Sequence, residues 1–467
     1  ATDQYKLHRI VAEVVVKQEE IALEQVSHLV KVLIVKLDFD QNKENPVDKF
    51  IWIPFGNRVI HLQEDNTDDN IAHLQNKLAL ILRIFGDYER ANYLMSKAVQ
   101  YLEQNSEVNY TELITRYSNY AITLKSVGSY KKAKLILYKS MKISEQKFGG
   151  KHRTTVMTYS NLALILRDLG EFKEAKVLLQ KAVNFDEEYL GEFHLETAAH
   201  YSNLAVINRD LGNYNKAVEL FQKVMLSHEK NFGKNHPVTI RTYSNFSTVL
   251  RDVGKYNQAK SLLNKSVAFN EKNFGKSHHT TAVAYSNLGL VLQDLGDFKE
   301  AKKLLEKMML ISEQNFGNQH PVTARSYSNL AIALVNTGDY PQAELLARKA
   351  VSIMKQHFDK EHPLVAIASS NLAITLRHLQ KYNEATVLLK YAIKTDEKNF
   401  GEQHLHTGRK YSNLSLVLKD SGEYDKAQKL AQKAHIVYLN KFGNQHPKTQ
   451  VFKKHLEAIE QLLKEKE

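Results

Sequence analysis

The sequence predicts an all-α protein built as a solenoid of tandem helix pairs. The tripeptide Tyr-Ser-Asn recurs at a fixed step of 42 residues from Tyr117 to Tyr411, and position 369 carries Ser-Ser-Asn instead. Within each unit the apolar residues follow helical spacing, and a glycine ends the first run. A helix pair repeated at a fixed period cannot bury its apolar face alone, so consecutive pairs must stack on one another.

Each unit is predicted to contain two helices. In the unit that begins at Tyr159, residues Leu162 and Leu166 complete an i, i+3, i+7 apolar face. Gly170 suits the left-handed end of that helix, and Phe172 begins a second helical pattern. A turn of the FGKNHP type then leads into the next unit.

The same frame continues upstream in degenerate form, where Gly86, Tyr88 and Ala91 occupy the matching positions. The sequence therefore divides into an N-terminal helical cap at residues 1–70, nine repeats at 71–446 and a closing helix at 447–467.

Composition restricts the classes of function. The chain has 467 residues and no Cys, which excludes disulfides and thiolate sites and fits a cytoplasmic protein. It has no long apolar run, so no membrane span is predicted. The net charge is +12, but Lys and Arg are interleaved with Asp and Glu, so nucleic-acid binding is not favoured. The Lys- and Asn-rich composition favours a bacterial source.

No catalytic or cofactor motif is found, and the protein is predicted not to be an enzyme. Histidines recur once per unit in the turn before each first helix, too far apart to form a metal site, so a turn or packing role is predicted. They are His152, His194, His236, His278, His320, His362, His404 and His446.

The recurring Asn lies on the polar side of each first helix. At about 100° per residue, Asn161 is nearly opposite the packing side, with Met157 and Asp168 within about 40° of it. Stacking aligns these residues into an Asn column, which comprises Asn119, Asn161, Asn203, Asn245, Asn287, Asn329, Asn371 and Asn413. The variable column beside it comprises Thr115, Met157, Ala199, Arg241, Val283, Arg325, Ile367 and Arg409.

The Leu-Ala, Gly, aromatic and Ala positions resemble tetratricopeptide repeats, with Tyr in place of the usual Trp. The 42-residue unit with its FGxxHP turn is similar to the longer repeats of kinesin light chains and bacterial signalling proteins. This resemblance spans residues from about 71 to 467. It implies a right-handed superhelix whose first helices line a concave groove for a protein or peptide.

The resemblance also implies roles for individual residues. The Asn column would contact the backbone of an extended peptide, because an amide both donates and accepts hydrogen bonds. Arg241, Arg325 and Arg409 would pair with acidic groups of the ligand. An alternative is that the Asn side chains bond to neighbouring helices and keep the repeats in register. A basic column that includes Arg167, Arg209, Arg251 and Arg377 is expected to form a solvated edge or inter-repeat ion pairs.

The segment YKLHRIV at residues 5–11 resembles the end of a winged-helix region in signalling NTPases of the STAND/NB-ARC class. This implies a ligand-sensing regulatory domain that follows a nucleotide-binding domain, and the missing initiator Met agrees with a fragment. The alternatives are a free-standing adaptor of the kinesin-light-chain kind and a structural scaffold without a ligand.

Overall fold

A computed structural model describes residues 23–39, 46–63, 68–104 and 109–465. Every regular element in these ranges is helical, which confirms the all-α prediction. The segment at 5–11 lies outside the described residues. The chain divides into two compact units, Ala1–Leu162 and Ala163–Glu467, and each is described by itself. The predicted boundaries of the cap, the nine repeats and the closing helix stay a prediction.

Within the described part of the first unit, the helices before the repeats pack on the start of the array. Leu33 of the helix Leu23–Lys36, and Leu37 just after its end, share an apolar core with Val59 and with Leu74 and Leu78. The helices are α1 (Leu23–Lys36), a 3-10 helix (Pro46–Trp52), α2 (Ile53–Leu62), α3 (Asp69–Ile84), α4 (Tyr88–Gln104), α5 (Tyr110–Ser126), α6 (Tyr130–Phe148) and α7 (Arg153–Asp168), and the boundary between the units falls within α7.

The second unit continues the alternation of first and second helices. Its helices are α8 (Phe172–Tyr189), α9 (Leu195–Asp210), α10 (Tyr214–Phe232), α11 (Pro237–Asp252), α12 (Tyr256–Asn273), α13 (His279–Asp294), α14 (Phe298–Phe316), α15 (Pro321–Asn336), α16 (Tyr340–His357), α17 (Pro363–His378), α18 (Tyr382–Phe400), α19 (Leu405–Asp420), α20 (Tyr424–Phe442) and α21 (Pro447–Lys464). None of the described helices is long and apolar enough to cross a bilayer.

The periodic His residues cap the first helices, which confirms their predicted turn role. In α11 the ring of His236 accepts a hydrogen bond from the backbone N–H of Val238, at 3.3 Å from Nδ1. The ring also stacks on Phe232, with centroids 4.5 Å apart. The Nδ1 atom can accept only when the ring is neutral, so the cap depends on the protonation state.

Acid is therefore expected to destabilise the second unit as the pH falls from about 6.5 to about 4. Burial lowers the pKa of His446 to about 4 and that of His404 to about 3. Between these values and the ordinary 6.5, the folded chain binds fewer protons than the unfolded chain. The contribution of these rings to stability is complete above pH 6.5 and is lost as the pH falls through the lowered pKa values.

The measurement is the urea midpoint between pH 4 and pH 7. His446→Asn keeps a capping acceptor but does not titrate, so its midpoint should fall less steeply with acid than that of the parent. Equal slopes in the two proteins would contradict this assignment.

Glycines end the first helices in the left-handed conformation. Gly212 has φ +80° and Gly254 has φ +77°, as predicted for helix ends without a Cβ penalty. In the unit where Gln380 replaces the glycine, that residue adopts φ +59°. The repeat geometry therefore imposes the same backbone turn even where the sequence departs from glycine.

The recurring Tyr holds consecutive helices together. Tyr243 is buried, and its hydroxyl donates to Glu229 of the preceding helix at 2.6 Å. Lys265 of the following helix lies over its ring, 5.8 Å from the centroid. Burial, with the bond to Glu229, raises the pKa of Tyr243 well above its ordinary value. The Tyr is thus explained by packing within the stack.

First helices lie on the inner side of the second unit. Consecutive first helices contact each other directly at α9–α11, α11–α13, α15–α17 and α17–α19. Contacts between consecutive second helices are weaker, because each second helix packs mainly against the first helices before and after it. The array therefore curves toward its first helices.

Turns that lie far apart in the chain contact each other within the second unit. The hydroxyl of Tyr214 lies 3.1 Å from Nε2 of His446, which is 232 residues away. Lys441 donates to the carbonyl of Gly170 at 3.1 Å. A Cβ on Gly212 would lie 2.4 Å from Cδ2 of His446, so this approach requires glycine. The sequence interpretation did not include this turn-to-turn contact.

Candidate functional site

The variable column of the second unit is solvent-exposed along its whole length. Ala199, Arg241, Val283, Arg325, Ile367 and Arg409 are all exposed. Small or aliphatic residues alternate with Arg, so each Arg lies two repeats from the next. We call the surface formed by the variable and Asn columns of α9, α11, α13, α15, α17 and α19 the inner face. It offers apolar contacts and cationic groups in a regular order.

Most of the Asn column bonds to the preceding repeat. Asn371 donates from Nδ2 to the hydroxyl of Ser328 at 2.8 Å, and Asn413 does the same to Ser370 at 3.1 Å. The corresponding bond of Asn329 to Ser286 is 3.4 Å long. In the first unit Asn161 bonds to Ser118 at 3.0 Å. These Asn–Ser pairs support the structural alternative for four members of the column.

Two members of the column differ from the others. In the described part of the chain, the side-chain amides of Asn245 and Asn287 make no hydrogen bond. The serines that would pair with them, Ser202 and Ser244, are half-buried and their hydroxyls are also unbonded within the described residues. Asn203 is half-buried and has a partner. The inner face thus contains two adjacent positions at which the Asn–Ser hydrogen bond is not formed. We call these the open Asn–Ser positions.

The basic column forms inter-repeat ion pairs, one of its two predicted roles. Arg209 lies 3.4 Å from Asp252 of the next first helix, and Arg377 lies 2.5 Å from Asp420. The residues are partly exposed, so each pair contributes at most about 1 kcal/mol. The series is interrupted where Gln293 and Val335 stand in place of a basic residue. The acidic residues beside the Asn column are therefore largely committed to neighbouring repeats.

A buried charged pair lies between the last two repeats. Lys410 of α19 donates to a carboxylate oxygen of Asp396 in α18, and both side chains are almost fully inaccessible. Burial lowers the pKa of Lys410 and raises that of Asp396. His200 and Asp186 occupy the same positions in an earlier repeat, 2.5 Å apart. The sequence interpretation missed these pairs, although their 14-residue spacing was visible.

A tetratricopeptide repeat family model matches residues 112–188, 154–225, 196–272, 280–356 and 364–440, which together make up well over half of the chain. Among curated proteins, none matches this sequence.

Several solved structures have a similar arrangement of helices. A Podosopora anserina protein, described as a kinesin light chain with nearly identical TPR-like repeats, is 22% identical, with 44% of this chain and 98% of that chain covered and a TM-score of 0.39. BtubC from P. vanneervenii is 18% identical, with 51% and 94% covered and a TM-score of 0.39. A Rap protein complexed with competence and sporulation factor is 15% identical, with 85% and 99% covered and a TM-score of 0.47.

Proposed function

Because the chain belongs to the tetratricopeptide repeat family, whose repeats mediate protein binding, we propose that its inner face binds an extended segment of a protein partner. The observation that carries this proposal is the exposed alternation of Arg241, Val283, Arg325, Ile367 and Arg409. Stacking of the repeats requires buried side chains. These side chains are instead exposed and form a regular, accessible surface on the side toward which the array curves. The three Arg suit a ligand that carries acidic groups.

The inner face offers contacts of two kinds to such a ligand. Asn amides can donate to and accept from a peptide backbone whatever its side chains are, which gives affinity. The variable column changes from repeat to repeat and would select side chains. Extended peptides are recognised in the same way elsewhere: main-chain hydrogen bonds give affinity, and contacts with side chains give specificity.

We also propose a regulatory role for this binding. The resemblance of residues 5–11 to the junction of signalling NTPases supports a ligand-sensing regulatory domain, in which ligand binding would favour one conformational state of an attached nucleotide-binding domain. The coding region upstream tests this. A nucleotide-binding domain there would support the sensor, whereas a coiled coil would favour the cargo adaptor.

A ligand-free scaffold is the remaining candidate. The observation that favours it is the set of Asn–Ser pairs that are hydrogen-bonded between consecutive repeats. A scaffold requires its polar column to be occupied by protein partners. The unbonded amides of Asn245 and Asn287 within the described residues do not meet that requirement.

A pair of matched substitutions tests the inner face. Val283→Glu places a negative charge in the variable column of α13, whereas Val387→Glu places one on the exposed face of the second helix α18. Peptides are first selected from a random display library with the parent chain, and their affinities are measured by fluorescence anisotropy. Val283→Glu should weaken binding about tenfold or more, because it introduces repulsion and removes an apolar contact.

Val387→Glu should bind the selected peptides as the parent does. Melting curves of both variants would verify that they fold equally. Equal binding by the two variants would exclude the inner face as the site. Failure of the parent to enrich any peptide would favour the scaffold.

A further inference from the structure

The turns that precede α19 and α21 rest on the turns that follow α7 and α9. His446 lies against Gly212, and a Cβ on Gly170 would lie 2.8 Å from Cδ2 of His404. The two contacts span the same length of chain, about five and a half repeats. The second unit therefore completes one turn of its superhelix and meets itself, so that its first helices face an enclosed interior.

We call this contact between the turns the latch. It consists of hydrogen bonds and ring contacts, in which Tyr214 meets His446 and Lys441 meets the carbonyl of Gly170. Each such hydrogen bond contributes little net stability, because water can replace either partner. The latch can therefore break and form again while each repeat stays folded.

The joint between α13 and α15 lies midway between the latched turns. Among the first helices from α9 to α19, these two approach each other least closely. Gln293 stands in the basic column of α13, and Asn336 stands in α15 where α13 carries Asp294, so these two positions cannot form an ion pair. The Asn329–Ser286 bond that joins the two helices is the longest of the four Asn–Ser bonds. The inner side of this joint is therefore the most weakly connected.

The second helix between them, α14, is suited to act as a pivot. It packs against both α13 and α15, so it can stay in contact with each when they separate. Its buried Met308 stands where the other second helices of the unit have Ala, Ser or Val, and an unbranched thioether can repack readily. Gly289 of α13 replaces the Ala or Ser of the other first helices and adds backbone freedom. Separation of α13 from α15 would straighten the array and break the latch.

We propose that the second unit opens and closes as a clasp, with the joint of α13, α14 and α15 as its hinge and the contact between the turns as its latch. Opening admits an internal segment of a partner protein to the inner face from the side, and closure retains that segment. This inference rests on the proposed function and adds the route of entry. The closed form admits a free chain end, whereas a folded domain cannot pass through the interior.

The first test measures the distance between two spin labels beside the latch. The chain has no Cys, so Lys173→Cys and Gln445→Cys place labels at two exposed positions. The parent should show a short and a long distance. Tyr214→Phe with Lys441→Met removes two hydrogen bonds of the latch but keeps the ring and the aliphatic stem. It should raise the ratio of long to short distances about fivefold or more.

The hinge is tested by the opposite change. Gln293→Arg with Asn336→Asp introduces the pair that Arg377 and Asp420 form between α17 and α19. It should lower the ratio of long to short distances about two- to fivefold. Asn336→Asp alone is the matched control, because it adds the charge without its partner, and it should leave the distances as in the parent. Distances that neither double variant changes would overturn the clasp.

Covalent closure tests whether the latch controls entry. A bismaleimide links the same two cysteines, and the chain capped with N-ethylmaleimide at both is the control. The probe is the library-selected peptide of highest affinity, either free or inserted between two small folded domains. The link should slow association of the inserted peptide about tenfold or more and leave the free peptide unaffected.

The failure of this inference differs from failure of the proposed function. If the inserted peptide associates equally fast with the linked and the capped chain, the inner face binds peptides and the gating role is wrong. If the library yields no peptide, the proposed function and the route of entry are both wrong, whatever the distances show.

Discussion

Replacing Lys410 by Met is expected to destabilise the second unit by about 3–5 kcal/mol. Lys410 and Asp396 form a charge pair whose side chains are 4% and 0% exposed. Removal of the ammonium leaves a carboxylate in a site that water does not reach. Within the described part of the chain, Oδ1 of Asp396 already lacks a hydrogen-bond partner. The remaining group would have to take up a proton or force the helices apart.

The measurement is the shift of the urea and thermal midpoints, followed by circular dichroism. Lys433→Met is the matched control, because Lys433 is exposed and lies over the ring of Tyr411 in the neighbouring helix. It should change stability by about 1 kcal/mol at most. Asp396→Leu combined with Lys410→Met should recover most of the loss, because an apolar pair fills the same space without a buried charge. A single Lys410→Met variant as stable as the parent would show that the pair is not buried.

The repeat period made the helices, their ends and their caps predictable. Glycine at a fixed offset after Tyr predicts the positive φ observed at Gly212 and Gly254. The His recurs at a constant position just before each first helix, which predicts that it lies in the turn. His236 is found there as the N-terminal cap of α11. These features depend on a few neighbouring residues, so local pattern is sufficient for them.

The state of each Asn was not predictable from the same pattern. Asn245 and Asn371 occupy identical positions in the repeat, yet only Asn371 bonds to a serine. Whether such a pair forms depends on how two first helices pack against each other, which the 42-residue pattern does not define. The signal that was overlooked is the Ser next to the Asn, because Tyr-Ser-Asn contains both partners of the bond.

The turn-to-turn contact had a weaker signal in the sequence. Lys441 stands where α10, α14 and α18 carry Asn231, Asn315 and Asn399. Those Asn side chains bond to a carbonyl in the turn one repeat earlier, whereas Lys441 reaches the distant carbonyl of Gly170. Which turns meet depends on the pitch that accumulates over several repeats, and a 42-residue period does not define that pitch.

Gly212→Ala is expected to cost more stability than Gly254→Ala, although the two glycines have nearly the same backbone conformation. Both substitutions place a Cβ on a left-handed residue, at a cost of about 1–2 kcal/mol. A Cβ on Gly254 would meet no atom within 4 Å, whereas one on Gly212 would lie 2.4 Å from the ring of His446. That ring cannot turn aside freely, because it stacks on Phe442 and caps α21.

The difference between the two variants isolates the turn-to-turn contact. Gly212→Ala should increase hydrogen exchange in α20 and α21, because it separates His446 from Tyr214, whereas Gly254→Ala should leave exchange there unchanged. Equal melting and equal exchange in both variants would show that the distant turns do not meet in solution. If the expected difference is found, the repeats between the two turns are constrained at both ends. The separation of α9, α11 and α13, and with it the open Asn–Ser positions, would then be held by a contact outside the inner face.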